Sequence, residues 1–327
     1  MFAYLARRVA SSAATLLVIA AVVFLAMFAV GDPVQVMAPP DATAADLDRI
    51  RSTLGLDKSM GEQFVRFIGN VFTGNLGDSF VFHRPVMALI LERLPATLEL
   101  ALLAFLMAVA LGIPLGMYAG ARPDSRAARA IMGLSLFGIS LPSFWIGILL
   151  MLGFGVWLGW LPTGGRGETT RVLGLQLSVF TADGLAHVLL PALNLALFKL
   201  ALVIRLTRAG VREILPLDYI RFARCKGLGP GRVYGLHVLK NLMIPVVTVL
   251  GIELGNLIAY TTIVETIFSW PGVGKLLIDS INMVDRPVIV MYTLFVIAIF
   301  LLLNLLVDLA YVALDPRVRL PGAEAGA

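Results

Sequence analysis

Charge is scarce in this 327-residue chain: Asp, Glu, Lys and Arg make up 14% of it, against roughly a quarter in an average soluble protein. Cysteine is scarcer still. The single thiol, Cys225, excludes an intrachain disulfide, and the scattered histidines His83, His187 and His237 offer no Cys/His cluster with metal-ligand spacing. A phosphate-binding loop is missing as well. The stretch SWPGVGKLL superficially matches one, but Ser269 stands where its first glycine belongs and Leu276 replaces the required Ser/Thr. The sequence therefore carries no catalytic constellation, no metal centre and no nucleotide-binding module, and any energy from ATP has to come from a separate protein.

What the chain has in excess is apolar surface, with 59% hydrophobic residues and a mean hydropathy of +0.90. Several runs approach or exceed the roughly 20 apolar residues that cross a bilayer, where only internally hydrogen-bonded backbone is tolerated. These runs predict an all-α polytopic membrane protein with six transmembrane helices, at about 9–30, 95–119, 131–159, 184–207, 242–263 and 288–314. Arg7 and Arg8 precede an apolar run longer than a signal-peptide core of about 7–15 residues, which predicts an uncleaved first span. The division expected along the chain is an N-terminal segment with the first span (1–30), an extracytoplasmic amphipathic region (31–94), a five-span core (95–314) containing a cytoplasmic loop at 208–241, and a tail (315–327).

An even span count places both termini on one face. That face, with the 120–130 and 205–241 loops, carries 15 Lys/Arg and 5 Asp/Glu, while the opposite segments carry 10 and 13. The excess of Lys/Arg assigns the first face to the cytoplasm. Topology thus accounts for a pI near 9.6, and no nucleic-acid partner is needed.

Thr43 is a plausible cap for the helical pattern of Leu47, Ile50 and Leu54, and Phe64, Phe67, Ile68, Val71 and Phe72 share one face suited to the bilayer surface or to the bundle. Pro95 suits the first turn of the second span, where its missing N–H costs nothing, and Glu99 just behind it suits the positive end of the helix dipole. Glycines at spacing four (Gly112, Gly116 and Gly120; Gly155 and Gly159; Gly251 and Gly255) predict close helix packing. Pro114, Pro142 and Pro191 permit kinks. On the fifth span, Glu253, Asn256 and Tyr260 form a polar stripe nearly opposite the glycines, either lining a hydrated path or making a buried structural pair. Asn304 and Asp308 repeat the spacing on the sixth span, with Asp308 near the cytoplasmic interface. Lys199 is expected to snorkel to the cytoplasmic headgroups.

Between the fourth and fifth spans lies a basic, glycine-punctuated island, DYIRFARCKGLGPGRVYGLHVLK, residues 218–240. With the following NLMIPVVTVLG it resembles the cytoplasmic coupling motif of ABC-transporter permeases of the dipeptide/oligopeptide/nickel importer family. Ordered matches from LARRV near the start, through GNLGDSF, ERLPATLELALLA, GISLPSFWIGILL, HVLLPALNLAL and VETIFSWPGVGKLL, to NLLVDLAYVALDPRVR extend that resemblance over residues 4–319. The general permease pattern has Glu-Ala-Ala before the glycine. This chain departs from it with Arg221 and Phe222 ahead of Ala223, and Lys199 stands where the family stretch is usually uncharged.

The resemblance implies a type I ABC importer permease fold in a bacterial-type plasma (inner) membrane. The implied assembly has a second homologous permease, two cytoplasmic ATPase subunits that use ATP and Mg, an extracytoplasmic solute-binding protein and surrounding lipid; this chain itself is non-catalytic and binds no cofactor. Residues Asp218, Arg221, Ala223, Arg224, Lys226, Gly227 and Arg232 fall on the ATPase-coupling loop. Ala223 and Gly227 would permit close approach and a sharp turn, so that the charged, Cβ-bearing side chain of Gly227→Asp is expected to crowd the docking turn and abolish coupling, while the basic residues present charge to the partner. The implied cargo is a di- or oligopeptide, with glutathione and a nickel chelate as alternatives. The competing class is a self-sufficient channel or proton-coupled carrier using Glu253, Lys199 and Asp308 as an ionic relay.

Overall fold

The computed structural model describes residues 2–29, 34, 43–53, 56–73 and 77–314. Residues 31–33 of the extracytoplasmic region and the 315–327 tail lie outside the described residues. Two compact units form, Met1–Pro95 with Gly272–Leu301 and Ala96–Pro271 with Leu302–Ala327.

The first unit contains helices α1 (Phe2–Ala29), α2 (Ala44–Thr53), α3 (Met60–Thr73), the start of α4 (Val86–Ala121), α11 (Val273–Asn282) and the first part of α12 (Arg286–Leu314). Thr43 caps α2 as its sequence predicts. Its hydroxyl accepts from the Asp46 N–H at 3.3 Å, and the Asp46 carboxylate accepts from the Thr43 hydroxyl at 2.7 Å and the Thr43 N–H at 3.1 Å. These hydrogen bonds hold the Asp46 carboxyl below its ordinary pKa. The apolar face of α3 is covered by protein: Phe64, Phe67, Ile68 and Val71 pack with Ala20 and Phe24 of α1 and with Val290 and Leu294 of α12. Asp285, fully buried between α11 and α12, accepts from the Ser79 hydroxyl and from the Phe80 and Val81 N–H groups at 3.2 and 3.4 Å.

In the second unit, α4 displays what a lipid-facing helix requires. Ala96, Leu100, Ala104 and Ala108 are buried in the core, whereas Leu98, Leu102 and Leu106 on its other side are 41–53% exposed. A helix apolar on both sides is at home in hydrocarbon and not in water. The glycine stripe then meets the central helix α7 (Ala182–Ile214): a Cβ at Gly112, Gly116 or Gly120 would lie 2.6–2.7 Å from the Cβ of Val203, Thr207 or Val211. The two backbones are packed too closely for any larger residue. Gly155 and Gly159 serve differently. Gly155 closes on Thr163 of the following loop, and Gly159 turns the chain at φ +63°, so this pair makes a turn and no helix contact.

The second span begins earlier than hydropathy predicts. α4 starts at Val86, and Pro95 lies inside it. Hydropathy reports lipid contact and not helicity, and the first turns of α4 are held by protein: Val86, Leu89 and Ile90 pack on Val273, Leu276 and Val288. Glu99 is consequently more than three turns from the helix start. Its carboxylate instead accepts from the Ser178 and Val179 N–H groups at 2.6 and 2.7 Å and from Arg166 at 2.8 Å. The Arg166 guanidinium also lies over Trp270, a fully buried ring whose Nε1 donates to the Ala96 carbonyl at 2.9 Å. This network fastens the 160–180 connection, including the hairpin Thr170–Val172/Leu175–Leu177 (β1 and β2), to the helices. The hairpin turns at Leu173 and Gly174, both at positive φ.

The predicted third span is broken. Helix α5 (Arg126–Ser140) stops before Leu141 and Pro142, and a new helix begins with α6 (Ser143–Leu150), which widens into a π-helical segment, Met151–Trp157. Pro142 adopts φ −59° and ψ 136°; its ring disfavours helical backbone in the residue before it, and it supplies no N–H to the ladder. Among the described residues four helices are long and apolar enough to cross a membrane: α4, α7, Pro245–Ile267 within α10 (Leu239–Ile267) and Arg286–Leu306 within α12. Ala10–Ala26 and Ser143–Trp157 are shorter apolar segments.

Candidate functional site

The basic island folds as α8 (Asp218–Cys225), a glycine turn, a helical turn at Pro230–Arg232 (α9) and a π-helical stretch, Val233–Val238, that runs into α10. The turn is a complete Schellman motif. The Leu228 N–H donates to the Ala223 carbonyl at 3.3 Å and the Gly227 N–H to the Arg224 carbonyl at 2.9 Å, with Gly227 at φ +79°. Within this chain a Cβ on Gly227 would meet open space, and it is the left-handed backbone that favours glycine here.

Ile220 and Ala223 are the buried residues of α8, and Ile220 joins Val211, Val233, Val238 and Leu242 in one core. The alanine thus faces the protein, and the charged residues face away. Asp218, Arg221, Arg224, Lys226 and Arg232 are all exposed. The same segment exposes large apolar side chains, Phe222 and Leu236, each 61% exposed. Lys226 stands over the Phe222 ring at 4.5 Å, and Arg221 lies 3.6 Å from Asp218. A glycine-locked knuckle that exposes an aromatic and a leucine together with four basic side chains has the make-up of a protein-docking surface.

The polar stripe of α10 meets the central helix α7. Glu253 makes an ion pair with Lys199 of α7. Lys199 is only 5% exposed, and its ammonium lies 5.3 Å from the Phe198 ring and 5.0 Å from the Tyr260 ring. The expectation that it snorkels is thus overturned: its ammonium is held inside the chain by Glu253 and the two rings, and does not extend along the helix to water. Burial requires a counter-charge, and Glu253, equally central on α10, supplies it. Tyr260 is about half exposed, Asn256 is half-buried, Gly251 is half-buried and Gly255 is buried. Asn304 is half-buried on α12, and the side chain of Asp308 lies outside the described residues.

Beside this pair lies a cavity of about 360 Å³, bordered by the break of the third span (Ser140 and Ser143), by Asn194, Phe198 and Lys199 of α7, and by Tyr260. Asn194 and the two serines are residues that sequence reasoning passed over, although their strings, GISLPSFW and HVLLPALNLAL, were part of the resemblance. An Asn inside an apolar run and a Ser-Leu-Pro-Ser interruption of another were the available signals; their meeting was not.

The family-model description "Binding-protein-dependent transport system inner membrane component" matches residues 112–320, and the model of the corresponding N-terminal region matches residues 1–101. The di/tripeptide transport system permease protein DppB of Pseudomonas aeruginosa is 40% identical, over 88% of this chain and 90% of its own. The oligopeptide transport system permease protein AppB of Bacillus subtilis is 37% identical, over 98% of this chain and 100% of its own. Among solved structures, the MetNI methionine ABC transporter in inward-facing conformations matches with a TM-score of 0.54 at 17% identity, over 70% of this chain and 97% of that one, a likeness of fold. Matched along nearly its whole length, the chain belongs to the family of binding-protein-dependent transport system inner membrane components.

Proposed function

We propose that this chain forms half of the translocation path of an ATP-driven importer whose cargo is a di- or oligopeptide. The observation that carries the proposal is the identity of 37–40% with peptide permeases over 88–98% of the chain. As a permease subunit it is non-catalytic, and the hydrolysis is done by separate ATPase subunits. The knuckle at 218–232 is the element that fits a groove on such a subunit: its exposed Phe222 supplies apolar contact and its arginines supply charge. Alternating access then follows from the knuckle moving with the ATPases as they bind and release ATP. The complete assembly has a homologous permease as the other half, two ATPases, and a solute-binding protein on the far face. Six crossings with cytoplasmic termini are supported by the Lys/Arg asymmetry, with Ala10–Ala26 and the broken 126–157 region as the two crossings that fall short in unbroken apolar length.

The test is reconstitution in liposomes with the partner subunits encoded alongside. Labelled dipeptide should accumulate only when ATP, both ATPases and the binding protein are present. Uptake by this chain alone under a proton gradient would overturn the coupling, and accumulation of glutathione or chelated nickel with no peptide uptake would overturn the cargo.

A further inference from the structure

Asn194 sits on the central helix α7 at 1% exposure, and neither its Oδ1 nor its Nδ2 has a hydrogen-bond partner. A buried amide in that state costs stability, roughly the desolvation of the whole group, unless something else occupies its partners' place. It borders the 360 Å³ cavity at the break of the third span, a volume within the usual range for small-ligand sites. The start of α6 borders the same cavity, and the Asn194 Nδ2 lies against α6 at Gly147, where a Cβ would be 2.9 Å away. No side chain caps that helix, and the Trp145 and Ile146 N–H groups return to the Pro142 carbonyl, which leaves the amides of Ser143 and Phe144 as the open donors a helix start presents. Behind them α6 and its π-helical continuation aim the positive end of their dipole at the cavity. Ser140 and Ser143 add hydroxyls to the lining, and the Phe198 and Tyr260 rings, which flank the buried Lys199 ammonium, add apolar surface.

Glu253 already neutralises Lys199, so the donors left open for a ligand are the α6 amides and the Asn194 Nδ2. The chemistry that fits is therefore a monovalent carboxylate attached to a compact organic group. We propose that the cavity is a transport-path binding site for the C-terminal carboxylate of the peptide cargo, held by the α6 N-terminus and Asn194, with the last side chain against Phe198 and Tyr260. The inference rests on the peptide-permease reading and names where in the membrane subunit the cargo is held. A site at a broken helix also has a physical rationale. Interrupted backbone within the bilayer is tolerated where it lines a cavity, and the freed N–H groups gain strength in a low dielectric.

Two measurements on the permease–ATPase complex test it. In the complex purified without binding protein, a dipeptide at millimolar concentration should raise the melting temperature, whereas the same dipeptide with an amidated C-terminus or inorganic phosphate should not. In the complete reconstituted system, Asn194→Leu should lower kcat/KM for dipeptide uptake at least tenfold while keeping or raising the melting temperature, because an unsatisfied buried amide has been removed. Asn194→Asp should lower uptake further, since its carboxylate repels the cargo's. Equal stabilisation by peptide and amide, or wild-type uptake by Asn194→Asp, would overturn the site while leaving peptide transport standing. An absence of dipeptide uptake by the wild-type system would instead overturn the functional reading itself. Should Asn194→Leu fail to assemble, Asn194→Asp and the binding measurement on the wild type still decide.

Discussion

Two charges at the middle of two helices set the residue-scale behaviour of the second unit. Lys199 and Glu253 have side chains 6% and 20% exposed, and removing one alone strands the other in a low dielectric. Lys199→Met is expected to destabilise the chain by about 3–5 kcal/mol, and the double variant Lys199→Met/Glu253→Leu should recover most of that loss. Denaturant unfolding of the four members of the cycle in detergent measures it; additive losses would mean that the pair is not coupled. The sequence made both residues conspicuous, because charge inside apolar runs is rare, but it grouped them only with Asp308 in the competing relay and gave no contact between them. They lie 54 positions apart, and only the relative rotation of α7 and α10 brings them together. Gly227 is the contrasting case: a glycine after a short amphipathic helix signals a Schellman end by local chemistry alone, and the structure has it at φ +79°.

At the scale of elements, the glycine stripe of α4 was legible as packing, and the structure supplies its partner. Gly116→Ala would press a methyl against the Thr207 Cβ and the Ile204 carbonyl oxygen, at 2.6 and 2.7 Å, neither of which can swing aside. A loss of about 1–3 kcal/mol is expected. Gly133→Ala on α5, where nothing lies within 4 Å, should instead gain about 0.4–1 kcal/mol by restricting the unfolded chain. Thermal unfolding of both variants checks the contrast, and equal shifts would refute the stripe. The broken third span was half legible. Pro142 announced a kink, but a proline within an apolar helix is compatible with a bend or a full break, as Pro191 inside the continuous α7 demonstrates. What decides is whether neighbouring elements re-satisfy the freed backbone, and that is a tertiary matter.

For the whole molecule, orientation can be read from one atom, because Cys225 is the only thiol in the chain and it is exposed on the knuckle. A membrane-impermeant maleimide should label this subunit in inverted membrane vesicles and not in right-side-out ones, and co-assembled ATPases should slow the labelling. Reaction from the outer face alone would reverse the topology. The same division between local and long-range information holds across the molecule. Composition, apolar run length and charge asymmetry determined the membrane class, the helical architecture and the position of the basic knuckle, because each depends on neighbours within one or two helical turns. Tertiary structure alone decided that Lys199 is paired and buried, that Glu99 anchors a loop, and that Asn194 borders the same cavity as an uncapped helix start. Those contacts depend on the depth and rotation of whole helices against one another, which no single segment of the sequence encodes.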